Sequence, residues 1–194
     1  MARITDQKKI DRLKESTMKL VVAHGFGGAS VSLIANDAHV ASGYFYMQHK
    51  GKYEMVNSLL QDVYQEIVGK LEELMGQGSS FSFIIENLVR HFFHMANNDP
   101  VKLKFLYVLM HDYNFAIDKE MRDNINGLIQ KMKEMGHSSG ELDKMLTEDD
   151  IYLCVILNTI QFINLKYKKS SKEIIFKKKD EDHLIYLTRK LLQP

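Results

Sequence analysis

The sequence of 194 residues is poor in cysteine and in proline. Its single cysteine, Cys154, excludes a disulfide framework, which is typical of a protein from a reducing compartment. Because Cys154 lies in an apolar helical stretch, we interpret it as a buried thiol that packs as a small hydrophobe. The two prolines, Pro100 and Pro194, leave most of the chain without a helix breaker. The sequence therefore favours long helices.

Long apolar runs and a net charge are lacking as well. No apolar run reaches the roughly 18 residues of a membrane-spanning helix, and no signal peptide is recognisable, so we expect a cytoplasmic protein without a membrane partner. The 26 Lys and Arg nearly balance the 25 Asp and Glu. Residues 1–56 carry eight cations and five anions. This local excess is compatible with a DNA-facing end but does not establish one.

The signatures of catalysis and of metal binding are missing too. We find no Gly-rich phosphate loop, nucleophile elbow or paired-carboxylate site, so we expect neither an enzyme nor a cofactor. Three histidines could supply ligands for a metal ion, and the candidates are His91, His94 and His111. No Cys or acidic residue at a suitable spacing adds a further ligand. We interpret these three as ordinary core or surface histidines.

The pattern that is present has the period of a helix throughout, which predicts an all-α fold of about nine helices. The periodic segments are 4–24, 31–38, 41–48, 52–75, 81–97, 100–115, 118–135, 148–167 and 182–192. Pro100 behind Asp99 and Thr147 three residues before Asp150 mark helix starts, and Gly136 marks a helix end. We place a domain boundary after residue 51, giving an N-terminal domain of residues 1–51 and a helical domain of residues 52–194.

The first three helices predict a helix-turn-helix. A supporting helix ends at Gly25, Ser30 is a good N-cap for a second short helix, and a tight turn at His39 leads into a third. Helices this short are unstable alone, so their apolar residues must pack together. Those residues are Val31, Ile34, Ala35, Ala38, Val40 and Phe45.

Residues 13–55 resemble the N-terminal domain of the tetracycline-repressor (TetR) family of transcription regulators. The spacing of the family pattern is kept without a gap. The matching residues are Leu20-Val21, Gly25-Phe26, Ser30, Ile34-Ala35, Ala38-His39-Val40-Ala41, Gly43, Tyr46, Gln48-His49 and Gly51-Lys52. The likeness by motif covers about a quarter of the chain, and the rest agrees in length and helical character.

This resemblance implies a DNA-binding surface on the third helix. In such domains the start of that helix faces the major groove, Gly43 lets the backbone approach the duplex, and Tyr46 contacts a phosphate. The implied DNA-binding residues are Ser30, Ala41, Ser42, Gly43, Tyr44, Tyr46, Gln48 and Lys52. Three positions depart from the family pattern. His39 replaces a turn glycine, His49 an apolar aromatic, and Gly51 a serine cap.

The resemblance also implies an effector cavity and a dimer in the helical domain. Candidate cavity residues are Met95, Phe105, Leu109, Met110 and Tyr113. Candidate dimer residues are Ile151, Val155, Asn158, Phe162, Leu184, Leu187 and Leu191. For both sets the alternative is the ordinary core of one chain.

The function implied is that of a ligand-responsive transcription regulator, by default a repressor. A homodimer would bind a palindrome of about 20 base pairs, with an affinity that falls steeply with salt, and a small apolar effector would release it. The alternative is a diverged regulator-like protein with weak or lost DNA binding that acts through protein partners.

Overall fold

We describe the protein from a computed structural model, whose described residues are 6–169 and 174–194. These residues form helices and connecting turns without a strand, which confirms the all-α prediction. The helices are α1 (Gln7–Gly28), α2 (Val31–Asp37), α3 (Ser42–Gln48), α4 (Lys52–Gly76), α5 (Phe81–Asn98), α6 (Pro100–His111), α7 (Lys119–Ser139), α8 (Glu148–Ile151), a π-helical segment (Tyr152–Leu157), α9 (Asn158–Lys169) and α10 (Lys178–Leu192). Since α8, the π segment and α9 are continuous, they count as one helix.

The chain forms two compact units. Unit 1 contains the chain up to Val63 together with Lys104–Ile117, and unit 2 contains Tyr64–Leu103 and Asp118–Pro194. Helices α4 and α6 each contribute residues to both units. Unit 1 is therefore larger than the predicted N-terminal domain, because it takes in the first part of α4 and the second part of α6.

Unit 1 is built on the buried face of α1. Leu13, Thr17, Leu20 and Val21 are buried there at the i, i+4, i+7, i+8 spacing of one helix face, and Ser16 is buried beside them. Gly25 has a φ of +72°, a backbone conformation that favours glycine, and it kinks α1 one turn before its end. The prediction that Gly25 ends the first regular helix is thereby confirmed, although its ψ is extended rather than left-handed.

The segment after α6 packs against the kink of α1 within unit 1. The Asp112 carboxylate accepts hydrogen bonds from the backbone N–H of Phe26 (2.8 Å) and of Asn114 (2.9 Å). These bonds, with that from Asn114 as the larger influence, hold the pKa of Asp112 below its ordinary value. The rings of Phe115 and Phe26 lie 5.1 Å apart. The helix predicted to reach residue 115 therefore ends at His111, because Asp112 accepts from one local backbone donor, Asn114, and from one distant donor, Phe26.

Unit 2 is organised around α5, whose N-cap Ser80 accepts from the N–H of Phe83. Half of its residues are buried, among them Phe92 and Phe93. Phe93 packs edge-on against Phe176, and the Asn97 amide exchanges hydrogen bonds with both backbone groups of Phe176. These contacts attach the segment around Phe176, which precedes α10, to α5.

Gly136 lies inside α7 and does not end it, contrary to the prediction. A Cβ at this buried glycine would lie 2.7 Å from Cβ of Leu142 and 3.0 Å from the ring of Phe81, so close packing requires glycine here. The helix ends instead at Gly140, which has the left-handed conformation of a C-cap. Residues 137–139, predicted as loop, are therefore helical.

The helix that begins behind Thr147 is interrupted by the π segment. Thr147 and Asp150 form the predicted capping box. A π turn takes up more residues than an α turn, so the following residues are rotated relative to a uniform helix. The buried positions accordingly run from Ile151 and Val155 to Thr159, Ile160 and Ile163. Part of the predicted loop 168–179 lies outside the described residues, and α10 begins within it at Lys178.

Candidate nucleic-acid interface

Helix α2 begins where the sequence predicts. The hydroxyl of Ser30 accepts a hydrogen bond from the N–H of Leu33 at 3.2 Å, which confirms Ser30 as the N-cap. Ile34 and Ala35 are buried, whereas Ser32 and Leu33 are exposed beside the cap. The apolar side of α2 therefore faces the core of unit 1 and its first turn faces outward.

The turn between α2 and α3 depends on His39. Its φ is +53°, which confirms that this position is left-handed although it is not glycine. The N–H of Val40 donates to the carbonyl of Ala35 (2.9 Å), and Arg12 of α1 donates from Nε to the carbonyl of Ala38 (3.0 Å). An arginine of α1 thus satisfies a carbonyl at the end of α2 and fixes the turn.

Helix α3 is held by a single buried side chain, Phe45. At about 100° per residue, Gly43 and Met47 lie on the side of α3 opposite Phe45, with Tyr44 and Tyr46 on either flank. Gly43 is exposed, and Met47 and Tyr46 are 53% and 58% exposed. We call Gly43, Tyr44, Tyr46 and Met47 the outward face. It has the size and exposure needed to enter the major groove of a duplex.

The sequence-predicted DNA-binding residues fall into three groups. Ser30, Ala41, Ser42, Gly43 and Tyr46 are exposed on the start of α2 and on α3. Tyr44 and Gln48 are partly buried.

Lys52 forms the third group, because its ammonium is engaged within unit 1. It donates to the carbonyls of Phe26 and of Gly27 and lies 4.4 Å from the centre of the Phe26 ring. These carbonyls belong to the kinked end of α1. Lys52 therefore stabilises that end, and its ammonium already has partners within unit 1.

Several other cations near the helix-turn-helix also have partners in unit 1. The ammonium of Lys19 lies 3.0 Å from the Asp37 carboxylate, and that of Lys14 lies 2.9 Å from Asp62. The hydrogen bond from Lys19, helped by one from Ser16, holds the pKa of Asp37 below its ordinary value. These pairs fasten α1 to α2 and to α4, so part of the positive charge of this region serves the fold.

Met47 is the residue of the outward face that the sequence prediction missed. It follows Gly43 by four residues, and this spacing places both on one side of a helix. The helical wheel opposite Phe45 would have identified it. The prediction instead followed the residues named by the family resemblance, and Met47 is not among them.

His49, directly after α3, takes the place of a core aromatic. Its ring is partly buried and lies 6.0 Å from the ring of Phe45. Burial lowers the pKa of His49 below its ordinary value, Glu54 opposes that shift, and Lys14 adds to it. The neutral imidazole is therefore the form that fits beside the anchor of α3.

The predicted cavity residues are distributed over both units. Met95 is buried in unit 2, whereas Phe105 and Leu109 are buried in unit 1 and Met110 is partly buried there. Tyr113 is fully exposed in the turn after α6, so it is corrected from a cavity residue to a surface residue.

The predicted dimer residues also separate by burial. Ile151, Val155 and Leu184 are buried within unit 2, because α8 packs on α7 and the π segment and α10 pack on α5 and on each other. They are corrected to core residues of the single chain. Phe162 packs against Phe93, and Asn158 is partly buried. Leu187 and Leu191 are exposed, and so are Leu153, Leu165 and Tyr186, which the prediction did not include.

Within residues 6–169 and 174–194, no helix has both the length and the apolar character required to cross a membrane. Nor do they contain a group of three or more His, Cys, Asp or Glu side chains arranged to hold a metal ion.

Comparison with known proteins gives a likeness of fold. No protein-family model and no curated protein sequence matches the chain. A TetR family transcription regulator from Marinobacter aquaeolei VT8 is 14% identical, with a TM-score of 0.77 and 96% of each chain covered. A TetR-family regulator from Haemophilus influenzae Rd is 19% identical, with a TM-score of 0.72, over 99% of this chain and 100% of that one.

A third solved structure contains a ligand. The transcriptional regulator FadR from Bacillus subtilis, in complex with stearoyl-CoA, is 16% identical, with a TM-score of 0.67, over 94% of this chain and 96% of that one. The chain therefore has the fold of the TetR-family transcription regulators over nearly its whole length.

Proposed function

We propose that this protein is a ligand-responsive transcription regulator that binds palindromic operator DNA as a homodimer through α2 and α3. The observation that carries the proposal is the outward face of α3. Phe45 is the one buried residue of that helix, and most of the opposite side is presented to solvent, although Tyr44 is partly buried and its hydroxyl donates to the Asp6 carbonyl. A short helix exposed in this way at a helix-turn-helix is suited to the major groove.

Gly43 supports this assignment. It lies within α3, and a Cβ built on it would meet nothing within 4 Å. Glycine inside a helix lowers stability by up to about 1 kcal/mol relative to alanine. No packing contact within this chain requires a glycine at position 43. Close approach of a duplex backbone or base edge accounts for a glycine here.

We propose that the dimer forms through exposed apolar side chains of unit 2. They lie on the π segment, α9 and α10 and are Leu153, Leu165, Tyr186, Leu187 and Leu191. A dimer would present two copies of α3 to half-sites about one helical turn of DNA apart, which multiplies the contacts of a short helix. Leu187→Glu with Leu191→Glu is expected to give monomers by light scattering, whereas Met145→Glu, at an 86% exposed position outside these helices, leaves dimers.

The effector is proposed to be a small apolar molecule, or a molecule with an apolar part, bound in the helical domain. Support comes from the shared fold with the regulator that carries stearoyl-CoA. Because α4 and α6 contribute residues to both units, we propose that these two helices carry the response to the effector. An effector shifts a conformational equilibrium only by its differential affinity for the two states, typically about 1–3 kcal/mol. Repression relieved by ligand is the proposed direction.

The test is equilibrium binding of the full chain to duplex DNA. A pool of random duplexes, enriched through several rounds of binding, should yield a palindrome of about 20 base pairs. Its affinity should fall linearly with salt on logarithmic axes, because phosphate contacts release counterions. A pool that is not enriched, or binding that salt does not weaken, favours the alternative of a regulator-like protein that acts through protein partners.

A further inference from the structure

The outward face of α3 is unusual for its chemistry. Helix α3 has the sequence SGYFYMQ and carries neither Lys nor Arg. The line directly opposite Phe45 consists of Gly43 and Met47, so its centre has no polar side-chain group. Tyr44 and Tyr46 extend this apolar surface on both sides, and each ends in one hydroxyl.

This composition excludes the commonest direct contact with guanine. Arg or Lys normally donates to O6 and N7 of guanine in the major groove, and α3 has neither residue. The nearest preceding arginine, Arg12, instead donates to the Ala38 carbonyl. Ser42 can bond to any base pair through its hydroxyl and does not discriminate on its own.

A methionine side chain on this face fits one feature of the groove. Thymine is the only ordinary base that presents a methyl group there, and apolar side chains recognise it by contact. The thioether of Met47 is flexible and polarizable, so it can follow a row of methyl groups. Gly43, without a side chain, leaves room for the methyl of a neighbouring thymine to approach the helix.

We infer that α3 recognises its half-site through thymine methyl groups, with Met47 as the principal specificity-determining side chain. The ligand class is an A·T-rich major groove in which the thymines present their methyl groups to the outward face. This inference rests on the proposed DNA-binding function and deepens it. It assigns the contribution of Met47 to apolar contact and the phosphate contacts to the hydroxyls of Tyr46, Ser30 and Ser42, because the Tyr44 hydroxyl donates to the Asp6 carbonyl.

The test uses the full chain and the duplex enriched from the random pool. Thymines of the half-site are replaced by deoxyuridine, which removes the methyl group and keeps base pairing. We expect affinity to fall about fourfold for each contacted methyl, which corresponds to about 0.8 kcal/mol for a buried methyl-sized group. Deoxyuridine placed outside the protected region should leave affinity unchanged.

A substitution in the protein tests whether Met47 is the residue that contacts the thymine methyl groups. Met47→Ala should weaken binding to the thymine duplex and should lose most of the discrimination against deoxyuridine. Met145→Ala is the matched control, because Met145 is 86% exposed in unit 2 and lies in the turn before Thr147. It should keep the full discrimination.

The outcomes separate the inference from the function on which it rests. Enriched duplexes that bind equally well with deoxyuridine, or half-sites with G·C pairs at the protected central positions, overturn the inference and leave a DNA-binding regulator. Met47→Ala with unchanged discrimination overturns the role of Met47. A pool that is never enriched overturns both the function and the inference.

Discussion

Helices α3 and α5 differ sharply in how much of their sequence the fold requires. In α5, half of the 18 residues are buried, and they range from Phe81 at its start to Ala96 near its end. In α3, one residue of seven is buried. Half of α5 is therefore determined by packing inside the chain, whereas six of the seven residues of α3 are not, and their identity can serve contact with a partner molecule. That difference is the physical basis for assigning recognition to α3.

The largest expected effect concerns the single anchor of α3. Phe45→Ala should destabilise unit 1 by about 3–5 kcal/mol, because it removes a fully buried ring. With no second buried side chain on α3, DNA binding should be abolished while unit 2 remains folded. Residue-resolved hydrogen exchange would measure both units.

Phe83→Ala is the control for that experiment, since this phenylalanine of α5 is 47% exposed. It should change stability by well under half as much. Equal losses from both substitutions would mean that α3 has support beyond Phe45, and the contrast between the two helices would not hold.

A second comparison uses two helical glycines. A Cβ added to Gly43 of α3 or to Gly127 of α7 would meet no atom within 4 Å, and both glycines are exposed. Each change to alanine should stabilise the protein by about 0.5–1 kcal/mol. Only Gly43→Ala should weaken DNA binding, by about tenfold or more, as measured by fluorescence anisotropy. Identical affinities for the two variants would show that no duplex approaches Gly43.

A smaller effect is expected at the turn. His39→Gly should raise stability by about 0.5–1 kcal/mol, because glycine adopts the left-handed conformation without the strain of a side chain. His39→Ala separates backbone from side chain: it keeps the strain and should not stabilise. Thermal unfolding of the three proteins at neutral pH measures the difference. If His39→Ala stabilised the protein as well, the loss of stability would come from the imidazole side chain and not from the left-handed backbone.

The smallest expected effect is a loss of folding stability at acidic pH, which we expect in both units. Burial lowers the pKa of His49 in unit 1 and of His91 in unit 2, and nearby Glu54 and Glu66 respectively oppose these shifts. Each histidine then binds its proton more readily in the unfolded chain. Stability is complete above the unfolded pKa of about 6.5 and falls as pH drops through the lower folded pKa.

Hydrogen exchange between pH 7 and pH 5 would assign this loss to each unit. His49→Gln should reduce the acid sensitivity of α3 alone, and His91→Gln that of α5 alone. If both substitutions changed both helices, the two units would not respond independently. If neither changed the pH dependence, other groups would carry it.

Much of the fold is predictable from local signals. Ser30, Thr147 and Pro100 mark helix starts through their own backbone chemistry, and the starts of α2, α4, α5 and α6 agree with the predicted positions. The errors arise where a distant residue decides. The sequence predicts a helix end at Gly136, yet this glycine lies inside α7 and is buried against Phe81 and Leu142. At the early end of α6, Asp112 accepts a hydrogen bond from the N–H of Phe26, 86 residues earlier in the chain.

The helix-turn-helix that carries the candidate site was predictable in position but not in detail. The spacing from Gly25 to Lys52 locates the helix-turn-helix, and His39 has the predicted backbone conformation. The engagement of Lys52 with the end of α1 is a tertiary contact that no local pattern reveals. The core positions of Ile151 and Val155 follow from the packing of this helix on α7, α5 and α10, which are tertiary contacts that a period alone does not reveal.

The most direct test of recognition by α3 is hydrogen exchange of the full chain with and without its enriched duplex. If α3 enters the groove, added DNA should slow exchange in residues 30–52 and should leave α5 unchanged. Slowing confined to α8–α10, or no slowing in a complex that demonstrably forms, would contradict it, because the duplex would then bind elsewhere on the protein.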